Sequence, residues 1–334
     1  MYFFPIICKY ICISQKFFVP LQPESCAVYK SMAYFGKGKY VLRHWKRLVW
    51  RSIFNVLYWA FMLITIIGTL LAFLPEKASK WFEEVLHFVW SNPWPMVVVA
   101  VILFVIALFV NWPRTFASYK DKHTDIRVIL ECCDILELEG TKVIHVVDTF
   151  DMELGRIISP KSLHGAFLKY CQQAGVNVDE QVDNALAFVE PLAVNDDLPG
   201  RKSQYELGTV CRVEVKDETF CCVAFTRLKP NGTIQITKEE YVKFLMSMWR
   251  NLTDPRNRAD VINVAVMGNK FVDLPAEFST EQKIDLMVQT FFAVSREKTC
   301  CRTLRICVHP DNAPDIEFSK YPTIIEHLAK RPVI

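Results

Sequence analysis

Residues 131–171 read ECCDILELEGTKVIHVVDTFDMELGRIISPKSLHGAFLKYC. The apolar runs and breaks in this stretch follow the order strand, turn, strand, loop, helix. Lys142–Val147 is a short, β-branched apolar run, the pattern of a buried strand, and Ile126–Cys132 just upstream is another. After Val147 the loop DTFDMELGRIISPKSLHG leads to Ser159 and Pro160, a serine suited to cap a helix and a proline suited to its first position. Helical spacing then holds over Lys161–Gln173. Strands that pass through polar loops into helices build an α/β sheet covered by helices.

Toward the C-terminus the alternation continues. Glu180–Ala187 is helical, and Tyr205–Val215 with Thr219–Phe225 forms a hairpin turning at Lys216-Asp217. Lys238–Leu252 and Thr280–Ser295 are amphipathic helices, Val261–Val266 and Leu304–Val308 are strands, and a short helix runs near Ile324–Ala329. One domain over 121–334 accounts for all of them. It holds no Walker A loop, HExxH, GxSxG, or GxGxxG after a strand, which disfavours an NTPase, zinc hydrolase or dehydrogenase and leaves binding as the default. The chain has twelve cysteines, and pairs such as Cys132-Cys133, Cys221-Cys222 and Cys300-Cys301 fall inside apolar runs. Strand neighbours point to opposite faces, so these pairs read as buried, reduced thiols rather than a metal or disulfide framework.

Toward the N-terminus the composition changes. The chain is 51% hydrophobic with a positive mean hydropathy, and the excess lies before residue 112. Residues 53–74, IFNVLYWAFMLITIIGTLLAFL, are about 22 residues without a charge, enough at about 1.5 Å per residue to cross a bilayer core of about 30 Å. A second run, Met96–Val110, reaches membrane length over about 94–112 if Trp94 and Trp112 anchor it at the interfaces; a re-entrant or buried core helix is the alternative. Arg43, Lys46, Arg47 and Arg51 precede the first run, and Arg114, Lys120, Lys122 and Arg127 follow the second. This asymmetry places both termini and the α/β domain on the cytoplasmic side of an inner membrane. Residues 32–120 are therefore a basic lead-in with two spans. Residues 1–31 are a poorly ordered tail or a mis-assigned start, with Met32 as the initiator. A formal charge of +3 with no basic stripe argues against nucleic acid.

Taken with YELGTVCRV, FCCVAFTRLKPNGTIQITKEEYVKFLMSMW and VINVAVMGNKFVDLP, the opening stretch resembles a divergent macro domain, the kind found in membrane-bound effectors of type II Thoeris anti-phage systems. The resemblance covers about 126–328. It implies a three-layer macro-like fold, a mixed sheet between helices, beside a membrane α-helical hairpin. It also implies an ADP-ribose-derived ligand and no other cofactor or metal. In such a site Asp134 and Ile135 receive the adenine, a carboxylate for the exocyclic amine and an apolar neighbour to shield it. Asp148, Thr149 and Phe150 replace the usual asparagine and glycine run near the distal ribose, which argues against ADP-ribosyl hydrolysis. Ser162, Leu163, His164 and Gly165 face the modified end of the ligand. Gly268, Asn269, Lys270 and Phe271 stand where a glycine-rich loop wraps the diphosphate, with one glycine where two are expected.

The resemblance further implies a sensor rather than an enzyme. A Toll/interleukin-1 receptor-like protein makes the nucleotide signal, with histidine-ADP-ribose as the expected conjugate. Binding then drives a homo-oligomer to disrupt membrane lipid. The alternative is a membrane-tethered ADP-ribose-processing enzyme with Asp148, Asp151 or His164 as base.

Overall fold

The computed structural model describes residues 45–330 except 47, 63–64, 67–68, 70–83, 85–86, 88–90, 92, 113, 156, 269–277, 311–312 and 314–315. Helix α1 spans Pro93–Val110, followed by strands β1 (Phe116–Lys120), β2 (Arg127–Cys132) and β3 (Thr141–Val147). Next come helices α2 (Leu163–Ala174) and α3 (Val178–Leu186), then strands β4 (Ala193–Val194), β5 (Ser203–Gln204), β6 (Val210–Val215), β7 (Glu218–Leu228) and β8 (Ile234–Gln235). The remainder is α4 (Lys238–Leu252), β9 (Val261–Ala265), α5 (Thr280–Glu297), β10 (Thr303–Val308) and α6 (Tyr321–Lys330).

The main sheet runs β1-β2-β10-β9-β3-β7-β6, with β8 added on β7. The inner strands β2, β10, β9, β3 and β7 are parallel, while β1 and β6 pair antiparallel at the edges. Parallel strands must be covered on both faces, and they are. On one side Tyr241, Phe244, Met287, Phe291 and Ile325 of α4, α5 and α6 form a core with Cys221, Val223 and Phe225. On the other side Phe167, Leu168, Val182 and Leu186 of α2 and α3 pack on Phe220, Cys222 and Ala224. The alternation of β7 thus sends each of two adjacent cysteines into a different core. All nine cysteines for which a state is described are buried.

Local chemistry sets the helix ends. Thr237 with Glu240 and Ser279 with Gln282 make capping boxes at α4 and α5, each satisfying two of the amides a helix start leaves open. The side-chain amide of Gln181 bonds both the N–H and the C=O of Glu214 at 2.9 Å, so α3 closes an exposed stretch of edge strand β6.

Two expectations shift. The sheet begins before residue 121: β1 pairs with β2 over five residues, from Phe116↔Glu131 to Lys120↔Arg127. The half-polar sequence FASYK gave no strand period, and pairing with β2 overrides it. Helix α2 begins at Leu163 with Ser162 as its cap, rather than at Pro160 with Ser159. Ser159 instead turns the chain, its carbonyl accepting from Ser162 N and Oγ.

Among the described residues no helix is long and apolar enough to cross a membrane. The expected first span, 53–74, lies partly outside them. Helix α1, over the second, has 18 residues, about 27 Å against a core of about 30 Å. Its side chains Val97, Val101, Ile102, Ile106 and Phe109 are all exposed. Asn55 donates to Asn111 Oδ1 at 3.1 Å and Asn111 to Ser52 Oγ at 3.5 Å, tying the described helix over 48–62 to the end of α1.

Candidate functional site

Beyond the carboxyl ends of the parallel strands, where ligands settle in open α/β sheets, lies a cavity of about 490 Å³. Each strand end contributes to its wall: Cys133 and Asp134 after β2, Val147 of β3, Thr226 of β7, Ala265, Val266 and Gly268 at and after β9, Cys307 and His309 at β10. The start of α2 closes it with Ser162, Leu163, His164 and Ala166.

Of the residues expected from the sequence, six meet here: Asp134, Ile135, Ser162, Leu163, His164 and Gly268. Asp134 is exposed and caps the short 3-10 turn Ile135–Glu137, its Oδ1 accepting from Leu136 N at 3.0 Å. An exposed carboxylate in this place can accept further hydrogen bonds from the cavity side. Ile135 is buried behind it with Cys133 and Cys307. Ser162 Oγ accepts from Gly165 N at 3.0 Å. Gly165 itself packs rather than lines: a methyl group there would sit 2.9 Å from Pro160 Cα and closer still to Ser159 O, so only glycine lets that turn lie on α2. His164 is buried, with Nε2 3.4 Å from Met152 Sδ, and burial, then the neighbouring His145, lowers its pKa to about 3.

The loop after β3 departs from expectation. Asp148, Thr149 and Phe150 are fully buried and none lines the cavity. Asp148 Oδ1 accepts from Leu228 N at 2.9 Å and Oδ2 from Gln204 Nε2 at 2.9 Å. Burial raises its pKa to about 6, against the lowering pull of those donors and of Arg227. Thr149 donates to Asp151 Oδ2 at 2.5 Å, and Asp151 Oδ1 accepts from Arg201 N at 2.8 Å. Phe150 holds a positive φ of 52° and meets Tyr205 edge to face at 5.7 Å, a backbone strain that the packing around it sustains. These residues bind the loop to 201–205 and to β7, so they shape the site from behind.

After β9, Gly268 takes φ 77°, a left-handed conformation natural to glycine. Its carbonyl accepts from Lys283 Nζ of α5 at 2.5 Å; burial lowers the pKa of that lysine. Asn269, Lys270 and Phe271 lie outside the described residues.

The structure also brings forward side chains that sequence reasoning passed over. His145, Phe225, Thr226, His309, Cys133 and Cys307 all border the cavity. The Cys133 thiol donates to Glu131 O at 3.6 Å, and the neighbouring Cys307 thiol together with burial pushes its pKa well above the ordinary range, so it is an inert wall group. His145 meets Phe225 edge to face at 5.5 Å, its Nδ1 is buried without a hydrogen-bond partner among the described residues, and burial lowers its pKa to about 4. The signal was present: His145 is the polar interruption in the strand KVIHVV. Phe225 stays on the face of Cys221 and Val223, beside a register shift at which Val146 pairs with Ala224 but Val147 with Thr226, a bulge of the kind found next to sites.

Two mutant forms of the Oceanobacillus iheyensis macrodomain are similar at 14% and 12% identity. Each covers 64% of this chain, matched over 97% and 95% of its own length, with a TM-score of 0.40. No curated protein matches the chain. The family model described as Thoeris protein ThsA, Macro domain, matches residues 128–309, the segment that supplies every wall of the cavity. That match spans more than half of the 334 residues, and the chain therefore belongs to the ThsA macro-domain family of Thoeris proteins.

Proposed function

We propose that this chain senses an ADP-ribose-derived signal in anti-phage defence, with histidine-ADP-ribose as the signal, and that its N-terminal helices then disrupt the bacterial inner membrane. The observation that carries the reading is the cavity itself. It joins an exposed carboxylate with an apolar backing at Asp134-Ile135 to a left-handed glycine turn at Gly268, a base-binding end and a phosphate-binding end in one space. The signal comes from a Toll/interleukin-1 receptor-like protein. Membrane lipid and further copies of this chain are the other partners, with both termini and the macro domain cytoplasmic.

The membrane half of the reading draws on 53–74 and 94–112, on the exposure of Val97, Val101, Ile102, Ile106 and Phe109 on α1, and on the Asn55–Asn111 bond, since polar side chains join helices in lipid. Ligand binding can act on the helices only by favouring one of their states over another. The alternative, an ADP-ribose-processing enzyme, needs a free base at the distal ribose. Asp148 and Asp151 are committed to internal hydrogen bonds, and His164 rests against Met152.

The test is calorimetric titration of the full-length protein with ADP-ribose and histidine-ADP-ribose, paired with dye release from vesicles of bacterial lipid. We expect binding of the conjugate, release only when it is present, and loss of both in Asp134→Ala. Turnover of ADP-ribose would favour the enzyme, and binding of neither ligand would sink the reading.

A further inference from the structure

Strand order measures the cavity. From β2, which ends at the Asp134 turn, the sheet runs through β10 and β9 to β3, three steps of about 4.8 Å, or about 14 Å. His145 of β3 therefore stands on the far side of the Gly268 turn from Asp134. If the adenine sits at Asp134 and the diphosphate at Gly268, His145 borders the space that takes whatever the ligand carries beyond its phosphates. In this position the loop after β3 has turned its own polar groups inward: Asp148 is spent on Leu228 and Gln204, and Thr149 on Asp151. The strand, rather than the loop, then offers the polar group.

From these positions, and resting on the sensor reading above, we infer that His145 is a specificity-determining residue that donates a hydrogen bond to an oxygen of the ligand's terminal sugar. The ring's two nitrogens lie on opposite sides of Cε1. Nδ1 is sealed in the wall without a partner among the described residues, so the Nε2 edge is the one that meets a ligand. A buried N–H without an acceptor is rarer and costlier than an unused lone pair, which puts the lone pair on Nδ1 and the proton on Nε2. Burial keeps the ring neutral near pH 7, with its pKa lowered to about 4. A neutral donor suits a hydroxyl or ring oxygen and gives no advantage to a phosphate. Phe225, edge-on to the ring at 5.5 Å, fixes its orientation.

The experiment compares ADP-ribose with ADP, which lacks the terminal sugar, by calorimetric titration of the full-length protein as wild type, His145→Val and His145→Gln. Wild type binds ADP-ribose more tightly than ADP. The valine variant, suited to a strand but without a donor, should lose about three- to ten-fold in affinity for ADP-ribose and stay within about two-fold for ADP. Glutamine, whose amide can donate, should recover part of the loss. Equal weakening of both nucleotides, or no change in His145→Val, overturns the assignment while leaving nucleotide sensing intact. A wild-type chain that binds neither nucleotide overturns this assignment, and the sensor reading falls with it only if histidine-ADP-ribose also fails to bind.

Discussion

Two loops of this chain begin alike and end differently. Each follows a buried parallel strand, and each opens with an aspartate near its start, Asp134 after β2 and Asp148 after β3. Asp134 is exposed, holds one backbone N–H of its own turn and faces the cavity. Asp148 is fully buried and draws its donors from 56 and 80 residues away. A carboxylate past a strand end thus lines the cavity in one case and anchors the fold in the other. The donors that reach it decide which.

Swapping each aspartate for alanine should separate the roles most sharply. Asp148→Ala strands the Leu228 N–H in the interior and should cost about 2–3 kcal/mol, read as a fall in the thermal midpoint. Asp134→Ala loses one exposed cap, about 1 kcal/mol or less, yet should weaken ADP-ribose binding by about ten-fold or more. If Asp148→Ala is as stable as wild type, or Asp134→Ala binds normally, the contrast fails. Ser162→Ala tests the third side of the site. Loss of its bond to Gly165 N should cost about 1 kcal/mol, seen as reduced protection of the α2 amides in hydrogen exchange.

A pH slope tied to Asp148 sharpens the comparison further. Burial raises the Asp148 pKa to about 6, above the ordinary carboxylate value of about 4. Between those values the folded chain holds a proton that the unfolded chain has released. The contribution is therefore full below about pH 4 and lost as pH rises through about 6. Denaturation midpoints from pH 4 to 7 should show this component in wild type and lack it in Asp148→Asn, which mimics the neutral acid. An identical slope in both would assign the titration elsewhere.

Much of the site's framework was readable along the chain. Asp134-Ile135 follows one strand end and Gly268 another, both local signals of backbone geometry, whereas the cap at Ser162 was placed three residues early, at Ser159. The buried loop was not readable, because Asp148, Thr149 and Phe150 look like any polar loop until Gln204, Tyr205 and Leu228 are folded against them. His145 sat in plain view as a histidine within an apolar strand. Its importance comes from the cavity wall, which five separate strand ends and one helix start assemble. The β1 strand was missed for a similar reason, since its pattern is weak and its pairing with β2 supplies the order.

By itself the sequence determined what depends on near neighbours. It set the α/β alternation, the helix caps at Thr237 and Ser279, the assignment of adjacent cysteines to opposite faces, and the contrast between an apolar N-terminal third and a mixed remainder. Tertiary structure alone decided which aspartate meets the cavity and which is sealed, that β1 joins the sheet, and that His145 and Phe225 stand together across the Gly268 turn from Asp134. The division follows from range. Helical and strand periods and caps act over two to four residues, whereas burial and hydrogen-bond completion depend on partners tens of residues away that only the folded sheet brings within reach.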